Sequence, residues 1–328
     1  MKNWLEQIWW RSEPPPRLLQ GLAFLYGKFA DGLAARRRRQ AIKLAVPVIV
    51  VGNIAVGGTG KTPITLSLLE LLRSMGHHPG VISRGYGGSG PFPMLVDAHS
   101  AAARAGDEPL LIARRSGAPA CVAAKRVLAG KTLLAAHPEV DVLICDDGLQ
   151  HLALARDLEI CVVDGARGHG NGWRIPAGPL REPPQRLASC NWVLVNGGEA
   201  QPYGGKALRF DLQQGAAVNL VSGEQRALSE FAGSRVHAVA GIGNPARFFF
   251  TLRGHGLQVT EHPFADHQIY TAALLAFGDD AAVLMTEKDA VKCTGFNDLR
   301  LWALPVTARF AAADEERLRL SLTQLFTK

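Results

Sequence analysis

Residues 55–62, AVGGTGKT, bring together residue types that can hold the phosphates of a nucleotide. Glycines at 57, 58 and 60 leave room for backbone N–H groups to converge on one point, where a Cβ would obstruct them. Lys61 can reach the β- and γ-phosphates, and the Thr62 hydroxyl can ligate Mg²⁺. The pattern therefore predicts an ATP site formed by Ala55, Val56, Gly57, Gly58, Thr59, Gly60, Lys61 and Thr62.

This phosphate-binding pattern departs from its usual form at one position. Ala55 stands five residues before Gly60, where most such loops have glycine. The alternative interpretation is a glycine-rich turn between a strand and a helix that binds no ligand. Because Gly60, Lys61 and Thr62 follow directly after an apolar strand pattern, nucleotide binding is the favoured interpretation.

Two adjacent carboxylates, Asp146 and Asp147, follow the apolar run VDVLIC. A phosphate loop normally needs an acidic residue at the end of a neighbouring strand to hold Mg²⁺. In a doubly wound sheet both strand ends lie at the carboxyl edge, where ligands bind. We therefore expect Asp146 and Asp147 to join Thr62 around the metal, and the alternative is a simple acidic turn. Gln150 and His151 come next, and His151 either contacts phosphate or substrate or has a structural role.

Phosphoryl transfer to a hydroxyl requires a group that accepts the hydroxyl proton. Three parts of the sequence offer one: Asp107 at a predicted helix start, His267 after a strand, and Glu287 or Asp289 at a strand end. Asp107 can instead cap its helix, and His267 can be a surface histidine paired with Asp266. Residue spacing alone does not rank these candidates.

The elements that must position these residues alternate along the chain. An apolar, β-branched run over 46–51 precedes the phosphate loop, and apolar residues recur at helical spacing over 64–72. Strand and helix patterns then alternate up to Asn196, which predicts an α/β fold with a doubly wound, mostly parallel sheet of the P-loop NTPase type. The pattern of strand and helix segments changes beyond about residue 200, which predicts a second, smaller α/β domain. We expect these domains to span 45–205 and 206–328, the latter with a closing helix, after an N-terminal segment of 1–44.

The N-terminal segment combines apolar and aromatic residues with four consecutive arginines, Arg36 to Arg39. Its longest uncharged run, 18–27, is too short to span a bilayer, which takes about 20 residues. Tryptophans, apolar residues and a basic cluster suit a helix that lies in a membrane interface. The alternative is an amphipathic helix packed on the protein's own core with its arginines solvated. A nucleic-acid patch ranks last, because nothing else in the chain supports it.

Composition restricts the class of protein further. The 328 residues have a net charge of +7, which suits an anionic partner such as a phosphorylated substrate, nucleic acid or membrane. No RNA-binding or helix-turn-helix motif is evident. Five widely spaced cysteines without a CxxC pattern indicate reduced thiols in a cytosolic chain. Acidic residues and prolines near the start argue against a cleavable signal peptide.

Eight segments, in their order along the chain, resemble the tetraacyldisaccharide 4′-kinase family of lipid A biosynthesis. They are VGNIAVGGTGKTP (51–63), SRGYGG (83–88), GDEP (106–109), DDGLQH (146–151), GNGWRIPAGPLRE (170–182), AGIGNPARFF (240–249), ADHQ (265–268) and MTEKDAVKC (285–293). The phosphate loop is common to many ATPases, whereas DDGLQH, PAGPLRE and TEKDAVK in this order are far more specific. The family also lacks glycine at the position of Ala55.

The resemblance implies a kinase that uses ATP and Mg²⁺ to phosphorylate the 4′-hydroxyl of a tetraacyl glucosamine disaccharide 1-phosphate, which forms lipid IVA. It implies a monotopic protein at the cytoplasmic face of the bacterial inner membrane. Its partners would be the lipid A disaccharide precursor and the anionic membrane surface. We expect no nucleic acid partner and infer no obligate protein partner.

The resemblance also implies roles for individual residues. Asp107 would be the catalytic base and His267 would assist it. Asp146 and Asp147 match the metal-associated pair of the family. The loops that face the substrate would contribute Arg84, Gln150, His151, Arg181 and Glu182.

Two other functions fit parts of the sequence. A soluble P-loop ATPase that acts as a switch or assembly factor would hydrolyse ATP without an acceptor lipid. A nucleotide-binding module without catalysis would use the arginines to hold nucleic acid, and its binding would be sensitive to salt.

Overall fold

The computed structural model describes residues 2–11 and 13–327, and side chains from Trp4 onward. The helices are α1 (Lys2–Trp9), α2 (Arg17–Arg39), α3 (Lys61–Ser74), α4 (Ala102–Ala105), α5 (Asp107–Ser116), α6 (Arg126–Ala136), α7 (Pro245–Gly254), α8 (Glu287–Ala290) and α9 (Ala312–Thr323). The first eight strands are β1 (Val48–Gly52), β2 (Pro79–Ser83), β3 (Met94–Val96), β4 (Ala120–Val122), β5 (Val142–Asp146), β6 (Leu158–Asp164), β7 (Trp192–Asn196) and β8 (Ala207–Gln214). The other strands are β9 (Ala217–Asn219), β10 (Gln225–Arg226), β11 (Arg235–Ala240), β12 (Gln258–Pro263), β13 (Ala282–Thr286), β14 (Leu301–Leu304) and β15 (Val306–Phe310).

A nine-stranded sheet forms the larger part of the fold, in the order β15-β8-β7-β6-β1-β5-β2-β4-β3. The seven inner strands run parallel, and the two edge strands, β3 and β15, are antiparallel to their neighbours. β1 and β5 are buried along their whole lengths, as expected of strands covered on both faces. The predicted α/β class with a doubly wound, mostly parallel sheet is therefore confirmed.

Helices cover both faces of the large sheet. On one face, α3 buries Ile64, Leu68 and Leu72 in the same cluster that receives Leu318 and Leu322 from α9. The α6 helix packs its apolar residues on the opposite face, in a second cluster. All five cysteines are buried and free. The layers hold β1 in the centre of the sheet, so the loop that follows β1 opens at the middle of the carboxyl edge.

A second sheet has the order β10-β9-β14-β13-β11-β12. Its β14, β13, β11 and β12 strands run parallel, and β9 and β10 add an antiparallel edge. The α7 helix packs Phe249 and Leu252 into the core of this sheet. The loops after β11, β12 and β13 lie at its carboxyl edge, which bears His267 and Lys288.

The large sheet takes strands from the chain beyond residue 205. β8 extends to Gln214 and pairs in parallel with β7. The chain then enters the small sheet at β9 and returns to the large sheet with β15 and the closing α9. Because β8 and β15 are distant in sequence, local patterns do not reveal that they pair. The predicted domain limits stay a prediction.

The N-terminal α2 helix has two different long faces. Ala23 and Gly27 are buried, whereas Leu18, Leu25 and Phe29 are exposed. At about 100° per residue these two sets lie on opposite sides of the helix. None of the helices in the described part of the chain combines the length and apolar character needed to cross a bilayer.

Phe249 and Phe250 allow a matched test of the small-sheet core, because they are neighbours on α7 with opposite environments. Phe249 is 1% exposed and Phe250 is 76% exposed. We predict that Phe249→Ala lowers the free energy of unfolding by about 3–5 kcal/mol, through lost burial and a new cavity. Phe250→Ala should stay within about 0.5 kcal/mol of the parent. Urea titration measures both, and equal losses would contradict this packing.

Candidate active site

A cavity of about 1200 Å³ lies between the carboxyl edges of the two sheets. Its lining includes the phosphate loop over 57–62 and residues near Asp147 from the large sheet. The small sheet contributes Asn244 and Arg247 around the start of α7, and His267 and Lys288. Pockets for one small ligand are typically about 300–1,000 Å³, so this cavity is large enough for a nucleotide with space left beside it.

The phosphate loop is built by the turn from β1 into α3. Gly60 has φ +98, a left-handed conformation that glycine adopts without strain, and α3 begins at the next residue. Two buried amides brace the loop: Asn53 Nδ2 donates to the Gly57 carbonyl at 3.2 Å, and Asn196 Nδ2 donates to the Thr59 carbonyl at 3.1 Å. The loop N–H groups and the start of α3 therefore form a fixed site for an anion.

Asp146 and Asp147 lie beside this loop because β1 and β5 are neighbours in register, with Val51 opposite Asp146. Thr65 Oγ1 donates to Asp146 Oδ1 at 2.9 Å, and Lys61 Nζ is 3.5 Å from Asp147 Oδ1. Burial, with the charges of Glu108 and Asp147, raises the pKa of Asp146 to about 7. Burial also acts to raise the pKa of Asp147, but Lys61 and Arg181 outweigh it, and that pKa lies below its usual range.

The oxygens around the loop are suited to Mg²⁺. Asp146 Oδ2 and Thr59 Oγ1 are buried, and neither has a hydrogen-bond partner within residues 2–11 and 13–327. Unpartnered buried oxygens are costly unless a ligand satisfies them, and carboxylate and hydroxyl oxygens are hard ligands for this ion. The residues present therefore fit the expected metal.

Asp107 and His267 meet across the cavity from the two sheets. His267 Nδ1 lies 3.1 Å from Asp107 Oδ1 and 3.0 Å from Oδ2. Asp107 is the first residue of α5 and is 5% exposed, whereas His267 follows β12 with φ +61. Within residues 2–11 and 13–327, His267 and Asp147 are the non-glycine residues with positive φ, and such strain is often found at functional sites.

The Asp107–His267 contact shifts both pKa values. Burial acts to raise the pKa of Asp107, but the hydrogen bond from His267 and the nearby Lys288 outweigh it, so the pKa is lowered. The hydrogen bond to Asp107 raises the pKa of His267 above its ordinary value, against burial and the charge of Lys288. A carboxylate and a protonated imidazole therefore stabilise each other.

The structure gives Glu287 and Asp289 other partners. Asp289 is 0% exposed and accepts hydrogen bonds from Tyr270 Oη, Thr286 Oγ1 and the Gly241 N–H. Glu287 pairs with Arg115 and accepts a hydrogen bond from the Val306 N–H. With these oxygens occupied, Asp289 braces the small sheet and Glu287 joins it to α5 and β15 of the large sheet. Asp107 and His267 stay as candidates for the base.

The five residues predicted to face the substrate all lie at the cavity or directly beside it. Gln150 Nε2 donates to Glu182 Oε1 at 2.7 Å, and Arg181 Nη1 donates to Gln150 Oε1 at 3.3 Å. The His151 Nε2 atom accepts the Arg126 N–H at 3.3 Å. Arg84 is exposed on the loop after β2 and lines the cavity.

Sequence reasoning did not single out Asn196 and Arg247, which join the small sheet to the phosphate loop. Arg247 Nη2 donates to Asn196 Oδ1 at 3.0 Å, and Asn196 holds the Thr59 carbonyl. Gly243 approaches the loop so closely that a Cβ there would lie 2.6 Å from the Gly58 nitrogen. The position of Asn196 at the end of a strand was a usable signal, since polar residues at the carboxyl edge are often functional. For Arg247 the sequence offers no such signal, apart from its place in the segment 240–249 that resembles the family.

The sheet order, the phosphate loop and the adjacent Asp146–Asp147 pair define the class: an α/β protein of the P-loop NTPase type, with a second sheet facing the loop. The Tetraacyldisaccharide-1-P 4′-kinase family model matches residues 16–326. The chain belongs to this family, and the resemblance seen in the sequence is confirmed.

Individual relatives agree with the family match. The chain is 50% identical over 322 residues to the tetraacyldisaccharide 4′-kinase of Dechloromonas aromatica, covering 95% of each protein. It is 51% identical over 305 residues to the same-named protein of Pseudomonas aeruginosa, covering 92% of this chain and 91% of that one. The crystal structure of the "apo" form of LpxK from Aquifex aeolicus in complex with ATP is 28% identical, with a TM-score of 0.76, over 93% of this chain and 98% of that one.

His151 makes stability depend on pH. Burial and the charge of Arg126 lower its pKa to about 4, from an ordinary value of about 6.5. Between these values the unfolded chain binds a proton that the folded chain does not, so the free energy of unfolding falls as the pH falls through this window.

His151→Gln should remove this dependence, because glutamine keeps an acceptor for the Arg126 N–H but does not titrate. We predict that the variant loses less stability than the parent between about pH 7.5 and about pH 5 in urea titrations. The other histidines are common to both proteins, so the difference isolates His151. Identical pH dependence in both would contradict the burial of a neutral imidazole.

Proposed function

We propose that this protein is an ATP-dependent kinase that phosphorylates the 4′-hydroxyl of a tetraacyl glucosamine disaccharide 1-phosphate, which yields lipid IVA. The observation that supports it most is the Asp107–His267 contact, which brings a base candidate from each sheet into the cavity of the phosphate loop. Membership of the family, with relatives named tetraacyldisaccharide 4′-kinase, agrees with this reaction.

On the nucleotide side, the backbone of residues 55–62 would bind the triphosphate and Lys61 would neutralise its terminal charge. Thr62, Asp146 and Asp147 would hold Mg²⁺, which supplies further charge neutralisation when bound. Lys61 Nζ lies 3.5 Å from Asp147 Oδ1, so its ammonium group is directed at the carboxyl edge of the large sheet. Fixed positive groups need little reorganisation during the transfer, which lowers the barrier.

On the acceptor side, Asp107 would take the proton of the attacking hydroxyl. The imidazole of His267 would orient this carboxylate and stabilise its charge through the 3.0 Å contact. Arg84, Gln150, His151, Arg181 and Glu182 would surround the sugar and its phosphate, since this set offers both cations and hydrogen-bond acceptors. Because Asp107 and His267 come from different sheets, the base depends on the two sheets lying as close together as they do in this structure.

The domain organisation of the chain would follow from these separate roles in nucleotide binding and in acceptor binding. A P-loop kinase domain would span about 45–205 and a smaller α/β domain would follow over 206–328, from which β8 and β15 extend the large sheet and α9 packs on it. The segment 1–44 would place α2 in the cytoplasmic interface of the inner membrane. Exposed Leu18, Leu25 and Phe29 form one apolar stripe, and Arg36 to Arg39 end the helix, a combination typical of interfacial helices.

A direct assay tests the proposed reaction. Purified protein, labelled ATP and the tetraacyl disaccharide 1-phosphate should give a labelled lipid, whereas Lys61→Ala should abolish transfer and keep the fold. Lys131→Ala changes an exposed lysine on α6 and should retain full activity. ATP hydrolysis that is indifferent to the lipid would instead favour a soluble ATPase switch, and transfer by Lys61→Ala at the parental rate would contradict the site.

Asp107→Asn separates catalysis from helix capping. The amide keeps the side chain's shape but accepts a proton poorly, so we predict that kcat falls by about 10²–10⁴ while the Kd for ATP changes far less. Exposed Asp280→Asn provides the same substitution outside the cavity. If ATP binding weakened as much as kcat, Asp107 would act mainly as a structural cap.

Membrane binding depends, on this proposal, on the apolar stripe of α2. The double variant Leu25→Ser and Phe29→Ser should bind vesicles of phosphatidylethanolamine and phosphatidylglycerol at least about tenfold more weakly, because two exposed apolar side chains that would enter the membrane interface are lost. Phe250→Ser removes an equally exposed aromatic from α7 and should leave binding unchanged. Vesicle flotation measures both, and parental binding by the double variant would refute the interfacial role.

A further inference from the structure

Lys288 occupies a position between the two partners of the Asp107–His267 contact, yet touches neither through a hydrogen bond of its own. Its Nζ lies 2.7 Å from Glu108 Oε1 and 3.0 Å from Asp266 Oδ1. Glu108 directly follows Asp107 on α5, and Asp266 directly precedes His267 after β12. One ammonium group from α8 therefore joins the neighbours of both residues, across the boundary between the two sheets.

Glu108 and Asp266 are in turn hydrogen-bonded to Asp107 and His267. Asp266 Oδ1, which accepts from Lys288, also accepts the backbone N–H of His267 at 3.1 Å. The backbone N–H of Glu108 donates to Asp107 Oδ1 at 3.0 Å. Lys288 is thus one residue away from Asp107 and from His267, through a continuous set of polar contacts.

The position of His267 requires such support. Its left-handed φ of +61 is unfavourable for a residue with a Cβ, so the surrounding contacts must stabilise it. We propose that Lys288 is a positioning residue of the phosphoryl transfer: it fixes Glu108 and Asp266 so that Asp107 and His267 meet in the cavity. This inference rests on the proposed function, because it concerns the same reaction.

The environment of Lys288 makes the bridge strong. Its side chain is 15% exposed, and burial acts to lower its pKa, but Glu108, Asp107 and Asp266 outweigh burial and raise it above the ordinary value. The ammonium group is therefore always charged at neutral pH. Removing it would leave the half-buried Glu108 and the exposed Asp266 close to Asp107 without their shared cation, which is unfavourable for like charges.

Lys292 has a separate effect on the same carboxylate. Its Nζ lies 3.8 Å from Asp107 Oδ2 and 3.0 Å from Asp289 Oδ1. The charged groups around Asp107 are Glu108 on its own helix, Asp266 and His267 after β12, and Lys288 and Lys292 after β13. Loss of Lys288 leaves Lys292 in place, so Asp107 should keep part of its stabilising charge and lose mainly its alignment with His267.

The test compares Lys288→Met, which keeps most of the length of the side chain without its charge, with Lys288→Arg and with Lys131→Met as a matched exposed control. Lys288→Met should lower kcat on the order of ten- to a hundredfold with little change in the KM for ATP, as expected of a misplaced base. The acidic limb of its kcat–pH profile should move to higher pH, because Lys288 helps to keep Asp107 ionised. Arginine can span the same two carboxylates and should restore most of the activity.

The outcomes separate this inference from the proposed function. A parent protein that transfers no phosphate to the lipid refutes the function. An active parent together with a folded Lys288→Met variant of unchanged kcat and pH profile overturns the positioning role alone. If Lys288→Met does not fold, Glu108→Gln removes one carboxylate of the bridge and should lower kcat severalfold in a folded protein, and a parental kcat in that variant overturns the inference.

Discussion

Buried carboxylates and the cations that balance them determine how this cavity is built. Asp107 and Asp146 are almost fully buried, and Asp147 lies close to both the phosphate loop and Arg181. Placing negative charges away from water is unfavourable unless positive groups lie within a few ångströms, and the raised pKa of Asp146 reflects this cost. The phosphate loop supplies Lys61, and the small sheet supplies His267 and Lys288 on the other side. The two sheets therefore depend on each other electrostatically as well as through packing.

This balance explains why the site spans two sheets. The large sheet alone can bind a triphosphate at its central loop, because the loop, Asp146 and Asp147 all lie at the ends of adjacent parallel strands. It cannot by itself provide the imidazole that faces Asp107. The loops of the small sheet come close enough to do so because Gly243 approaches Gly58 without a side chain between them, and Asn196 and Arg247 join the two parts.

The sequence predicts the parts of this arrangement that depend on local patterns. The strand–loop–helix around Lys61 and the strand end at Asp146 follow from short segments, and the parallel sheet follows from their alternation. Contacts between distant segments are different. The contact of Asp107 with His267 joins residues 160 positions apart, and only the family resemblance implies it. The pairing of β8 with β15 and the bridge made by Lys288 have no local pattern at all, because each depends on how the chain returns from one sheet to the other.

A crystal structure with Mg²⁺ and a non-hydrolysable ATP analogue tests the central claim most directly. The account predicts the triphosphate on the backbone of residues 57–62, with the metal between its terminal phosphates and Thr62, Asp146 or Asp147. It also predicts that the terminal phosphate points toward the side of the cavity where Asp107 and His267 remain in contact. A nucleotide bound elsewhere, or a terminal phosphate directed away from Asp107 with no path for an acceptor hydroxyl between them, would contradict the account.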